Sequence, residues 1–195
     1  MINNVIFDIG NVLVDFHPIP YFQRLLPNSD MNVICPLIFD PIWEQIDAGR
    51  LTCEQAKQKH IQKHPQYAKE IESVYAHWKE MMSLKEDTYA YFKECKQGGF
   101  RVFLLSNIGA ESHQYLSERY AFFDEADGAI LSYRHHRIKP DVRIYQLLME
   151  RYRLNAEECV FFDDNPVNIQ SACALGMKGI LFENCTQAQR EAALW

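Results

Sequence analysis

A chain of 195 residues supports one domain of ordinary size, or one domain carrying an insertion. Hydrophobic residues make up 48% and charged residues 24%, which is ample apolar material for a core. The net charge of −6 argues against nucleic acid or an anionic membrane as the main partner, because both need a basic face.

The chain opens on "MINN", which has no cationic region, so the apolar run after it reads as a strand rather than a signal peptide. No run reaches the roughly 18 apolar residues of a membrane span. "NVIF", Asn4 to Phe7, is that first strand, and it delivers one carboxylate, Asp8, before a sharp turn at Gly10-Asn11. From residue 17 to about 97 the apolar residues recur at helical spacing. Tyr67, Ile71, Val74, Tyr75, Trp78 and Met82 mark one face, and "PIWEQIDAGRLTCEQAKQKH" reads as two helices broken at Gly49 with Thr52 as N-cap.

Strands and helices then alternate. "FRVFLL" (100–105), "GAIL" (128–131), "CVFFD" (159–163) and "GILF" (179–182) are the expected strands, with Arg101 in need of a polar outlet. Helices are expected over 111–120, 140–152 and 166–175, the second with Pro140 at its first position. The pattern predicts an α/β fold with a Rossmann-like parallel sheet and an all-helical insertion after the first strand. The expected division is a core of residues 1–16 and 89–195, and a cap of residues 17–88.

The cysteines, at 35, 53, 95, 159, 173 and 185, form no C-x-x-C pair, so free thiols in a reducing cytoplasm are expected. His135 and His136 are adjacent, and neighbours on a strand point to opposite faces, which disfavours a shared ion.

Ligands of open α/β sheets bind at the carboxyl ends of the strands. Here those ends carry Asp8, then Ser106-Asn107, then Lys139 before Pro140, then Asp163-Asp164. Each alone has an ordinary reading as a turn, cap or solvated residue. Together they are coherent. Two carboxylates on neighbouring strands repel unless a cation lies between them, and hard oxygen ligands suit Mg²⁺. Asp8 then faces a phosphate ester as nucleophile, with Ser106 and nearby N–H groups on the phosphoryl oxygens and Lys139 as fixed positive charge.

"FDIGNV", "LLSN", "KPD" and "FFDDNPVN", in that order, resemble the four motifs of the haloacid dehalogenase-like (HAD) superfamily, in its subfamily with a helical C1-type cap. Within it the chain is most similar to small bacterial sugar-phosphate phosphatases, the α-D-glucose-1-phosphate phosphatase group among them. The resemblance implies a Mg²⁺-dependent phosphatase of a small phosphorylated metabolite, working through an aspartyl-phosphate. By this likeness Asp8 is the nucleophile and a metal ligand, Gly10 a metal ligand through its carbonyl, and Asp164 the acidic metal ligand. Ser106 and Asn107 match the phosphate-binding pair and Lys139 the charge-stabilising lysine. Asp163 would orient water ligands or Lys139, and Asn168 would act through the metal's outer shell.

Most phosphatases of the superfamily carry an acid/base aspartate two positions after the nucleophile, where this chain has Gly10. Three accounts are open. Asp15 or His17, where the cap begins, supplies the proton, with Asp15 otherwise a hinge residue. Alternatively the leaving group needs little protonation, or the protein is a weakly active or non-catalytic scaffold that binds a ligand or partner. A metal-independent 2-haloacid dehalogenase also lacks that aspartate, but would have no use for the acidic pair. Trp43, Glu44, Arg50, Tyr21 and Trp78 are the insertion residues considered for contact with a small-molecule substrate. Oligomeric state is not legible.

Overall fold

The five short apolar runs pair into one parallel sheet, ordered β3-β2-β1-β4-β5. They are β1 (Asn4–Phe7), β2 (Arg101–Ser106), β3 (Gly128–Leu131), β4 (Cys159–Asp163) and β5 (Lys178–Leu181). The structure, a computed structural model, describes residues 1–192. β1 and β4 are buried along their whole length, as expected where helices cover both faces of a parallel sheet.

Side chains alternate between two cores, as the period of two in a strand requires. Val5, Phe7, Val102, Leu104, Val160 and Phe162 face one; Ile6, Phe103, Leu105 and Phe161 face the other. The first core runs on without a break into the helices between β1 and β2, through Phe22, Ile34, Trp43 and Trp78. Those helices are α1 (Pro18–Leu25), α2 (Met31–Ile38), α3 (Pro41–Asp47), α4 (Cys53–Lys63), α5 (Ala68–His77) and α6 (Glu86–Gln97). The first five pack chiefly on one another, while α6 lies against β2. After β2 come α7 (Ala110–Ser117), α8 (Phe122–Glu125), α9 (Val142–Tyr152), α10 (Pro166–Ala174) and α11 (Cys185–Ala192).

Several local expectations hold. Gly49 breaks α3 from α4 at φ +64°, and Thr52 caps α4 in a reciprocal capping box with Gln55. Arg101 finds its outlet in the Tyr152 carbonyl, at 3.1 Å. The six cysteines are unpaired.

Others shift for visible reasons. The stripe from Tyr67 to Met82 is not one helix, because α5 ends at His77 and a 3₁₀ turn (Trp78–Met81) carries the buried face onward. β2 starts one residue late, since the Phe100 N–H closes the end of α6 on Cys95, and it ends on Ser106, which pairs with Leu131. β5 likewise runs one residue earlier than expected. Pro140 is not the first helical residue. The Lys139–Pro140 peptide is cis, and Asp141 caps α9 by accepting the Arg143 N–H at 3.0 Å, so the helix begins at Val142.

Two linkers join the inserted helices to the sheet, and they run side by side. The Asp15 N–H donates to Ser83 at 2.8 Å and the Lys85 N–H to Leu13 at 2.9 Å.

Candidate active site

In a sheet of this order the chain reverses its direction of winding beside β1, so the crevice at the ends of β1 and β4 is the natural ligand site. Phe7 pairs with Phe162, and the Asp8 N–H donates to the Phe162 carbonyl at 2.9 Å. That register sets Asp8 and Asp163 at adjacent strand ends.

Lys139 lies between them. Its Nζ stands 2.8 Å from Asp8 Oδ1 and 2.6 Å from Asp163 Oδ2, and donates to the Leu105 carbonyl at 2.9 Å. Lys139 is 3% exposed, so only these partners make its charge tolerable. Burial works against that charge, but Asp8 and Asp163 outweigh it and hold the lysine above its usual pKa. Asp8 moves the other way from an ordinary carboxylate. Burial pushes its pKa up, Lys139 pulls it back, and Asp163 pushes it up again.

Asn107 spends its side-chain amide on the backbone of Lys139, accepting the Lys139 N–H at 2.7 Å and donating to the Lys139 carbonyl at 2.9 Å. Sequence reasoning paired it with Ser106 as a phosphate binder; the geometry makes its side chain the holder of the lysine. The Ser106 hydroxyl is a hydrogen-bond partner of Asp8. Asn168 donates to both oxygens of Asp163, at 3.0 and 3.1 Å, and the Asn165 N–H donates to Oδ1 at 2.8 Å. Asp163 is therefore fully engaged.

Asp164 is freer. One oxygen accepts the Asn11 side-chain amide at 2.8 Å, which also fixes the left-handed Asn11 at φ +55°. One oxygen each from Asp8, Asp163 and Asp164 lie within 4.8 Å of one another, the one such His/Cys/Asp/Glu cluster found among the described residues. Three clustered carboxylates, two of them paired with one ammonium, leave an excess of negative charge, which fits a hard divalent cation bound through oxygen. Asp8 and Asp164 have coordination capacity left, and the Gly10 backbone lies beside them in the same cavity.

That cavity holds about 220 Å³. Asp8, Gly10, Asn11, Ser106, Asn107 and Asp164 form its polar end; Phe16, Phe39, Trp43 and Met82 form an apolar wall. Of the insertion residues singled out in sequence, Trp43 lines it. Trp78 is buried behind Trp43, with the rings edge to face at 5.2 Å, and Tyr21 donates to Glu80 at 2.9 Å. Arg50 donates to the His136 carbonyl, and Glu44 is not part of the wall. His136 Nδ1 meets the Ala48 carbonyl at 3.0 Å, so His136 contacts the inserted helices.

Asp15 and His17 are not brought to the cavity. Asp15 accepts from Ser83 Oγ at 3.2 Å and Lys85 Nζ at 3.5 Å, tying the two linkers, and the two residues line a separate cleft with Tyr21 and Arg24. One carboxylate in the cavity was missed in sequence: Asp47, the last residue of α3. Its only sequence signal is an acid one residue short of the helix-breaking Ala48-Gly49.

The model of the haloacid dehalogenase-like hydrolases matches residues 2–176. A sesquiterpene phosphatase of Aspergillus oryzae is 27% identical over 90% of this chain and 87% of its own length. D-ribitol-5-phosphate phosphatase of Bacteroides thetaiotaomicron is 23% identical over 98% and 97%. Drimenol cyclase of Aspergillus calidoustus is 25% identical over 98% of this chain, which spans 36% of that longer protein. Among solved structures, a Bacteroides thetaiotaomicron HAD family enzyme in complex with magnesium and inorganic phosphate superposes with a TM-score of 0.74 at 19% identity, over 94% of this chain and 95% of that one. L-2-haloacid dehalogenase from Xanthobacter autotrophicus gives 0.70 at 17% identity, over 100% and 83%. No helix among the described residues is long and apolar enough to cross a membrane. The chain belongs to the haloacid dehalogenase-like hydrolases.

Proposed function

We propose that the protein is a Mg²⁺-dependent phosphatase of a small phosphate monoester, with Asp8 as nucleophile and residues 17–88 as the cap that closes over the leaving group. The observation that carries this reading is the cluster of three carboxylates at the ends of β1 and β4, two of them paired with one buried lysine. A haloacid dehalogenase attacks carbon and has no use for a cation, so the acidic pair favours phosphoryl chemistry. The phosphatase names of two relatives point the same way.

Asp8, the Gly10 carbonyl and Asp164 would hold the cation, which when bound neutralises charge between nucleophile and phosphoryl oxygens. Ser106 and the N–H groups after β2 would bind those oxygens. Lys139, fixed by Asn107 and Asp163, favours the ionised form of Asp8 against its burial and supplies positive charge where the transferring phosphoryl carries negative charge. Asp163 and Asn168 position the lysine.

A cavity of about 220 Å³ suits a phosphate and a small organic body. A sugar phosphate is the first reading of that body. The wall of Phe16, Phe39, Trp43 and Met82 favours a second, a short apolar alkyl or prenyl monophosphate. The test is phosphate release from p-nitrophenyl phosphate, sugar phosphates and short prenyl monophosphates, with Mg²⁺ and with EDTA, beside Asp8→Asn. Mg²⁺-dependent turnover lost in Asp8→Asn supports the reading, and the ranking of esters chooses the body. Turnover that survives Asp8→Asn defeats Asp8 as nucleophile, and none on any ester defeats the phosphatase reading and leaves the binding scaffold.

A further inference from the structure

Gly10 offers no side chain to protonate a leaving oxygen, and the residues nearest in sequence face elsewhere. Among the described residues that line the cavity, the ionisable ones are Asp8, Asp164 and Asp47. No histidine, lysine, arginine, cysteine or tyrosine is there. Asp8 and Asp164 belong to the strand ends and the cation. Asp47 comes from the inserted helices, on the side where the ester's organic part must lie.

Its position is built rather than incidental. The Asp47 carbonyl accepts the Ser132 hydroxyl, which also accepts the Ile108 N–H at 2.8 Å, and the Gly109 N–H points at the Asp47 carboxylate. The next residues continue the attachment. Ala48 meets His136, and Gly49 lies so close to the Tyr133 carbonyl that a Cβ there would collide with it. Gly109 is constrained in the same way, since a Cβ on it would stand 2.8 Å from Ile46 Cγ2. Two glycines and a buried serine thus seat the end of α3 on the loops after β2 and β3.

We infer that Asp47 is the general acid and base of the reaction, delivered from the cap in place of the missing side chain at position 10. This rests on the phosphatase reading above. In the first half, an Asp8 oxygen bonds to phosphorus as the ester P–O bond breaks, and the Asp47 proton passes to the departing oxygen. In the second, the Asp47 carboxylate takes a proton from water as the water oxygen bonds to phosphorus and the P–O bond to Asp8 breaks. Ester plus water becomes alcohol plus phosphate, and Asp47 ends protonated. The surroundings suit a group that must hold a proton near neutrality. Burial, Glu44 one turn back and Asp8 across the cavity push Asp47 up to about 7, against the Gly109 N–H; the Cys53 thiol is the other titratable neighbour.

The test compares 2,4-dinitrophenyl phosphate with phenyl phosphate, two esters of similar shape whose leaving groups differ in basicity. Wild type, Asp47→Asn and Asp47→Glu are assayed as full-length chains with Mg²⁺. Asp47→Asn should lose about 10²–10⁴-fold on phenyl phosphate. On dinitrophenyl phosphate it should release about one equivalent of dinitrophenolate in a burst and then stall, with a phosphorylated chain visible by mass. Asp47→Glu should recover part of the phenyl phosphate rate. Loss in equal measure on both esters without a burst, no loss on phenyl phosphate, or a Glu variant no better than Asn would each overturn the inference. Turnover that persists in Asp8→Asn would instead defeat Asp8 as nucleophile in the reading above, whatever Asp47 does.

Discussion

The cavity is shared by two regions that give their buried carboxylates different partners. At the strand ends the buried charges are paired at bonding distance: Lys139 touches Asp8 and Asp163, Asn168 and Asn165 complete Asp163, and Asn107 fixes the lysine's backbone. At the helical rim Asp47 has one backbone N–H and no cation, facing Trp43, Phe39 and Asp8. Burial pushes both Asp8 and Asp47 up to about 7, and what differs is the partner: Asp8 has the Lys139 ammonium to favour its charged, nucleophilic form, and Asp47 has none. The contrast teaches how one cavity can hold both.

The contrast breaks most sharply at the nucleophile. Asp8→Asn keeps the shape and removes the attacking oxygen, and we expect phosphate release to fall on the order of 10⁴–10⁶-fold. The rim answers next. A Cβ at Gly10 meets nothing within 4 Å, so there is room for an aspartate in the usual place. Adding Gly10→Asp to Asp47→Asn should return on the order of tenfold or more of the lost phenyl phosphate rate, read as kcat.

Lys139→Met tests the other region through stability. It leaves Asp8 and Asp163 buried and facing each other, and a uncompensated buried charge of this kind costs about 3–5 kcal/mol. Urea denaturation in EDTA should show the loss, while a lysine dispensable for stability would mean that the carboxylates protonate instead.

The pH dependence of stability sharpens the same division. Asp47 has a folded pKa of about 7 against an ordinary 3.8, so the native chain binds the extra proton between those values. Asp8 is pushed up over the same window, so stability falls as pH rises through it, and Asp47→Asn should remove Asp47's share of the fall. Comparing urea midpoints near the two ends of the window, in wild type and variant, checks the sign. The smallest effect expected is at Ser132→Ala. It strands the Asp47 carbonyl and the Ile108 N–H, costing about 1–3 kcal/mol, and should lower kcat on phenyl phosphate more than on dinitrophenyl phosphate.

Much of this was legible before any coordinates. Strand periods and breakers mark β1 to β5 within a residue or so, because a buried parallel strand is a short unbroken apolar run. The strand-end residues Asp8, Ser106, Lys139 and Asp163 were also within reach, since polar residues closing successive apolar runs have few ordinary explanations together. Local chemistry misled where a stronger neighbour won. Pro140 yields the helix start to Asp141, and Asp15, which looked free to reach the site, is taken by Ser83 and Lys85.

By itself, then, the sequence determined the sheet, the helical insertion and the identity of the strand-end groups, because those follow from periodicity along one strand or helix at a time. Only the tertiary structure decided which carboxylates share a cavity. Asp47 lies 39 residues from Asp8 in the chain, and only its place before Ala48-Gly49 marks it locally; the seat made by Ser132, Gly109 and Gly49 turns it toward the strand ends. Its raised pKa arises in the same way, since desolvation and the field of Asp8 exist only once α3 has closed over the sheet.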